Sequence, residues 1–216
     1  MTDAQPTHVL QVATRMFAEL GFDGTSAQLI AQAAGMNLEA MVAQVGDKAQ
    51  LYREVMLLAH RAEREAMQAA LDRFAPTAQG LIELADAYFD FYRDHPHVLA
   101  LWMHRWMGDA IDVEGLEKLY SRPLANVVAD TVREMIPGDV DTDYLLWTIV
   151  WSVYGFLTGG LQHTSPRARL ARVHHPGRGR DDVAAHLRFR AHLHTLIRRM
   201  TTPAAFSGER EDASSG

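Results

Sequence analysis

Residues 13–56 read ATRMFAELGFDGTSAQLIAQAAGMNLEAMVAQVGDKAQLYREVM. Val9, Val12, Ala13, Met16, Phe17 and Leu20 recur at three- and four-residue spacing, the repeat of a helix with one apolar face. Gly21 is placed to stop that helix. Thr25 or Ser26 then offers a hydroxyl to cap a second helix carrying Leu29, Ile30, Ala33 and Ala34, which Gly35 ends. Asn37 caps a short third helix, Leu38 to Val45, before Gly46-Asp47 breaks the chain again. Asp47 caps a long fourth helix, with apolar face Leu51, Tyr52, Val55, Met56, Leu58 and Ala59, that runs to about Phe74. Two short helices joined by AAGMN between other helices form a helix-turn-helix arrangement. Gly35 permits the tight turn, while Ile30, Ala34, Met41 and Val45 lock the pair at a steep angle. Ala33 and Ala34 are small enough to let the helices approach. The third helix then projects as a rod able to enter a major groove.

Outward from this stretch the pattern stays helical. Leu81 to Arg93 is rich in aromatics, and His95-Pro96 closes it, because a residue before proline avoids helical angles. Pro96 to Met107 carries Trp102 and Trp106 four apart on one face. Glu114 to Met135 follows, bent at Pro123, and Pro137-Gly138 ends it. Asp141 to Gln162 is strongly apolar, His163 to Arg180 reads as a long loop, and Asp181 to Met200 is the last helix. No strand signal and no repeat of 20–50 residues occurs. The fold class is therefore all-α: a helix-turn-helix head on a larger helical domain.

Composition narrows the function. With 48% hydrophobic and 22% charged among 216 residues, the chain buries an ordinary core. It holds no cysteine, which excludes disulfides, zinc–thiolate sites and cysteine nucleophiles and fits a reducing cytoplasm. No signal peptide is read at the start. Tyr144 to Gln162 runs nineteen residues without a charge, at the threshold for a membrane span. Thr148, Ser152, Thr158 and Gly159-Gly160 favour a buried core or dimer helix instead. The net charge of −6 is uneven: −3 over residues 1–60, −8 over 61–163 and +7 over 164–206. The basic block suits nucleic acid or an anionic surface, or simply balances the acidic middle.

His186, Arg190 and His194 share one helix face with His192 nearby, but no carboxylate stands at matching spacing and the arginine would repel a cation. No metal site and no cofactor is assigned, and a solvated or interface face is the reading. No HExxH, Gly-rich phosphate loop or nucleophile elbow is present, so no catalytic residue is named and the chain is read as a non-enzyme.

The run FAELGFDGTS, followed by IAQAAG and by the Gly46-Asp47-Lys48 start of the fourth helix, resembles the N-terminal DNA-binding domain of TetR-family transcriptional regulators. The likeness covers about residues 5–60, and beyond that only the all-helical architecture agrees. It implies a DNA-binding domain over residues 3–63 with the motif at about 26–45. A ligand-binding and dimerisation domain would follow over 64–203, then a disordered tail over 204–216. It also implies operator DNA and a small-molecule effector as partners, a homodimer through 141–162 and 181–200, no membrane, and a cytoplasmic location.

The third helix departs from the family. It holds no lysine, arginine or aromatic, where family members usually place a tyrosine at the position of Val42 and an aromatic at that of Val45. Glu39 adds negative charge, although phosphate attraction normally supplies much of DNA affinity. The expected DNA contacts are Thr25, Ser26, Gln28, Asn37, Ala40, Gln44 and Lys48. The hydroxyls of Thr25 and Ser26 suit a phosphate, as does Lys48. Gln28 and Gln44 suit adenine edges, and Asn37 a sugar or phosphate. For each polar residue a cap or solvated face is the other reading.

The middle block supplies an aromatic set, Tyr88, Phe89, Tyr92, Trp102, Met103, Trp106, Tyr120, Trp147, Trp151 and Tyr154. Of these, Phe89, Tyr92, Trp102, Met103, Trp106, Tyr120, Trp147 and Trp151 are the leading candidate walls of a pocket for a largely apolar or aromatic ligand. Ordinary core packing is the alternative for each. The expected function is a ligand-responsive DNA-binding regulator, most simply a repressor released from a palindromic operator. The alternative is a protein that keeps the fold, has lost operator reading, and binds small molecules or a partner.

Overall fold

The computed structural model describes residues 6–159 and 183–202. The expected loop over 163–180, Gln162, the start of the last helix at Asp181 and the tail over 204–216 lie outside the described residues. Within them the chain is helical throughout, with no strand. The head consists of α1 (Pro6–Leu20), α2 (Ala27–Ala33), α3 (Leu38–Val45) and the first half of α4 (Lys48–Leu71).

Each short helix starts where a side chain relieves an orphan amide. Ser26 accepts from the Leu29 amide at 3.1 Å, and Asn37 accepts from that of Ala40 at 2.7 Å. At α4, Asp47 accepts from the Gln50 amide at 2.8 Å while Gln50 Oε1 accepts from the Asp47 amide at 3.0 Å, a complete capping box. Gly35 sits at φ +72° between α2 and α3, where a Cβ would strain the backbone. The head core then forms from Val9, Val12, Ala13 and Phe17 of α1, Ile30 and Ala31 of α2, Met41 of α3, and Leu51, Tyr52, Val55 and Met56 of α4. Ala34 is buried as the spacing predicts, but Ala33 is exposed, so Ala34 alone provides the close approach.

The body contains α5 (Ala78–Asp94), α6 (Pro96–Trp106), α7 (Arg122–Val132), α8 (Thr142–Gly159) and α9 (Val183–Met200). α5 is the central post, touching α4, α6, α8 and α9. Where the sequence reads one helix from Glu114, the chain makes a π-helical turn at Glu117–Ser121 and continues as α7 with Pro123 in its first turn. The π-turn runs into α7 without a break, with Leu116, Ser121, Arg122 and Arg133 all at helical angles, so Pro123 lies within a longer helix whose ladder shifts to π spacing just before it. The fourth helix ends at Leu71, three residues short of the sequence reading.

No helix among the described residues is long and apolar enough to cross a membrane. On α8 and α9, Tyr144, Trp151, Val183 and Leu187 are large apolar residues left exposed. The histidine face of α9 turns out to be packed rather than solvated. His186 is buried against the rings of Phe89 and Phe156, and His194 Nε2 meets Asp86 of α5 at 2.9 Å. Arg190 pairs with Asp86 and Asp90. The carboxylates missing from the local spacing thus come from α5, a contact that no i/i+4 pattern on α9 contains.

Candidate functional site

Two places bring together the residues singled out by sequence. The first is the outer face of the head. On α3 the exposed side chains are Glu39, Ala40, Val42, Ala43 and Gln44, and on the adjoining part of α2 Ser26 and Gln28 are exposed. Asn37 is exposed too, with its oxygen committed to the α3 cap. This face is nearly neutral, with Glu39 its one charge.

Two of the expected phosphate contacts sit inside the head. Thr25 is 1% exposed, and its hydroxyl donates to the Gly21 carbonyl at 2.7 Å. Lys48 reaches back from the start of α4. Its Nζ donates to the carbonyls of Phe22 and Thr25, both at 3.0 Å, and stands 3.9 Å from the Phe22 ring centre. The ammonium therefore ties α4 to the turn between α1 and α2, with a cation–π contact beneath it. Sequence spacing shows only that Lys48 opens a helix, not that the Phe22 and Thr25 carbonyls lie within its reach.

The second place is a cavity of about 430 Å³ lined by α4, α5, α6, the π-turn, α7 and α8. Of the expected residues, Tyr92, Trp102, Trp106 and Trp147 line it. Phe89, Met103, Tyr120 and Trp151 do not. Phe89 faces α8 and α9, with its ring 5.5 Å from that of Phe189, and Tyr120 stacks on His60 at 5.0 Å. Met103 packs against the core, and Trp151 is 55% exposed beside Trp147. Trp151 follows Trp147 by four residues, yet only Trp147 lines the cavity. Tyr88 and Tyr154 of the same aromatic set line it too, while the walls that went unassigned include Met67 of α4, Leu81 and Leu84 of α5, Leu124 and Val128 of α7, and Ile149 and Val150 of α8. Aliphatic positions at helical spacing carry no mark that separates a cavity wall from ordinary core.

The cavity's polar equipment is sparse. Glu63 of α4 is buried and accepts the Tyr92 hydroxyl at 2.5 Å. Burial pushes its carboxyl up to about 7, against the opposing effect of that hydrogen bond. The phenols of Tyr88, Tyr92 and Tyr154 are all raised, chiefly by burial and next by neighbouring charge or phenol oxygens. Trp102 Nε1 is buried without a hydrogen-bond partner among the described residues.

The two places are joined. α6 carries Trp102 and Trp106 into the cavity wall and packs along α1. Just beyond its end, the Asp109 carboxylate accepts from the amides of Phe22 and Asp23 at 2.6 and 2.8 Å. Gly21 stands at φ +75°, and a Cβ there would lie 3.2 Å from the Asp109 carboxylate, so glycine serves both the turn and the approach. His104 Nε2 lies 3.2 Å from the Ala18 carbonyl. Arg105 grips the cavity-lining Glu117 at 2.5 Å and also donates to the Ala110 carbonyl, which fixes the segment carrying Asp109.

Comparisons with known proteins agree with this geometry. Residues 9–55 match the family model described as bacterial regulatory proteins, tetR family. Among solved structures, the ketosteroid transcriptional regulator KstR2 of Mycobacterium tuberculosis superposes with a TM-score of 0.64 at 17% identity, over 94% of this chain and 97% of that one. PfmR, a TetR family transcriptional regulator from Thermus thermophilus, gives 0.58 at 20% identity, over 88% and 94%. The fatty acid degradation regulator FadR from Bacillus halodurans gives 0.59 at 11% identity, over 95% and 97%. At such identities the likeness establishes the fold. The comparison with curated proteins yields no match.

Proposed function

The chain carries the N-terminal domain of the TetR family of regulators on a TetR-like fold, and from that premise we propose that it is a ligand-responsive homodimeric repressor. Two copies would join through the exposed apolar residues of α8 and α9. Their α3 helices would then enter successive major grooves about 34–36 Å apart on a palindromic operator. Gln44 and Gln28 would read adenine edges, Ala40 and Val42 would meet thymine methyls, and Ser26 with the amide ends of α2 and α4 would hold phosphate. A largely apolar molecule in the cavity would shift α6 and so release the operator.

The observation that carries this reading is the Asp109 clamp. Any displacement of α6 by a ligand against Trp102 or Trp106 acts on the Phe22 and Asp23 amides, and thus on the turn that Lys48 and Thr25 hold. Coupling of this kind is reciprocal. After selection of an operator from genomic fragments, 1-decanol serves as an apolar probe read by tryptophan fluorescence. Operator-bound protein is expected to bind decanol severalfold more weakly than free protein, and Asp109→Ala to erase that difference while both ligands still bind. Equal decanol affinity with and without operator in the native protein overturns the coupling.

A second reading, a TetR-fold protein that binds small molecules or a partner without reading an operator, draws on the inward-turned Lys48 and the uncharged α3. The salt response separates the two. A reader with several phosphate contacts loses on the order of a thousandfold in affinity between 50 and 200 mM salt, whereas a weak and flat response favours the second reading.

A further inference from the structure

Glu63 is the only carboxylate buried among the described residues, 6% exposed in a wall of the cavity. Its Oε1 takes the Tyr92 hydroxyl, and its Oε2 has no partner among the described residues. No lysine, arginine or histidine pairs with it there. Arg122, the one cationic residue of the cavity lining among the described residues, is itself exposed. A buried carboxyl without a counter-charge is held at a cost unless it is neutral or something charged comes to meet it.

The surroundings favour the second route. Tyr154 lies 4.8 Å from Tyr92 and 4.6 Å from Trp106, and Tyr88 lies 4.8 Å from Tyr92, all measured between ring centres. All four rings line the cavity that Glu63 faces, and aromatic rings attract cations and repel anions over their faces. The unpartnered Trp102 Nε1 in the same cavity offers a hydrogen bond to an acceptor atom.

We propose that the cavity takes an organic monocation, an amine or quaternary ammonium on an apolar body, with Glu63 as its counter-charge and Tyr88, Tyr92, Tyr154 and Trp106 as the surrounding box. An ether or carbonyl oxygen on the same molecule would satisfy Trp102. The inference rests on the cavity being the effector site, and it deepens that reading by naming the head group. A carboxylate-headed ligand is disfavoured, because its charge would face Glu63.

Three probes of one chain length test it: decyltrimethylammonium, 1-decanol and decanoate, each below its micelle concentration and read by quenching of tryptophan fluorescence. The cation is expected to bind at least tenfold tighter than the other two. Glu63→Gln removes that preference while leaving decanol affinity within about twofold, which also shows that the variant folds. A measurement on the native protein stands beside the variant. With Glu63 titrating near 7, affinity for the permanently charged probe rises about tenfold from pH 6 to pH 8, while decanol binding stays flat. The groups sharing the cavity with Glu63 are Tyr88 and Tyr92 of α5, Tyr154 of α8, Glu117 and Arg122 around the π-turn, and Asp143 at the start of α8. His60 lies on its own helix. Burial holds the three phenols neutral across this range. Equal binding of all three probes, or preference for decanoate, overturns the monocation while keeping the cavity as a ligand site. Failure of every probe to bind overturns the cavity reading and this inference with it.

Discussion

The head and the body treat their polar groups in opposite ways. In the head, Thr25, Lys48, Asn37, Ser26 and Asp47 all have partners inside the molecule, and their bonds hold short helices that could not persist alone. In the body, Trp102 Nε1 is buried without a partner and Glu63 Oε2 faces the cavity without one among the described residues. The head commits nearly all of its polar side chains to holding its own helices, the buried Tyr52 hydroxyl being the exception, whereas the body leaves polar atoms facing a space that a guest could fill. The contrast extends to packing, since α1 to α4 close tightly while α4 to α8 leave about 430 Å³ open.

Two buried methionines offer the sharpest test of that contrast. Met41 is 0% exposed at the contact of α2 and α3, and Met67 is 4% exposed in the cavity wall. Met41→Ala should cost about 2–5 kcal/mol, because a new void opens in a filled core. Met67→Ala removes the same atoms but only widens a space already present, so its cost should fall at or below the low end of that range. Urea unfolding of both variants makes the comparison. Equal losses would mean that the cavity wall is as tightly supported as the head.

The unmatched carboxyl predicts a pH effect of similar size that belongs to the body. Glu63 titrates at about 7 in the folded chain against its ordinary 4.5. Between those values the native state holds a proton that the unfolded chain has released, so stability falls as pH rises through the window and levels off above 7. The full change is on the order of 3 kcal/mol. His60 and His97, lowered mainly by burial, act in the other direction below their ordinary range. Subtracting the profile of Glu63→Gln isolates the carboxyl. An unchanged profile between pH 5 and 8 would show that Glu63 stays ionised when buried.

Local pattern carried the head almost completely. The caps at Asn37 and Asp47, the stop at Gly21, the turn at Gly35 and the limits of α3 all follow from residues within four positions of one another, which is the range over which capping and helical periodicity act. The cavity was half legible. Trp102 and Trp106 reveal themselves by their spacing, but Trp151 shares that spacing with Trp147 and points elsewhere. Glu63 looked like any charge on a long helix, since its burial depends on α5 arriving from 29 positions away. Asp109 is hidden for the same reason: its partners lie 87 and 86 positions back. Long-range pairings between a side chain and backbone leave no trace in local spacing.

Lys48 provides the smallest expected effect and the most direct way to sharpen the division between head and body. A lysine at the start of α4 is placed well for phosphate in a sequence, yet here its three donors are directed to the Phe22 and Thr25 carbonyls and the Phe22 ring. The half-buried position and the competition from water limit the net worth of these contacts, so Lys48→Met, which keeps the stem, should cost about 1–2 kcal/mol in urea unfolding. Loss of a phosphate contact would instead leave stability intact and lower the salt slope of DNA binding by about one. The structural role predicts the reverse, with stability reduced and the slope unchanged. If stability holds while the slope falls, the lysine releases its carbonyls on meeting DNA, and the head then keeps a charge in reserve as the body does.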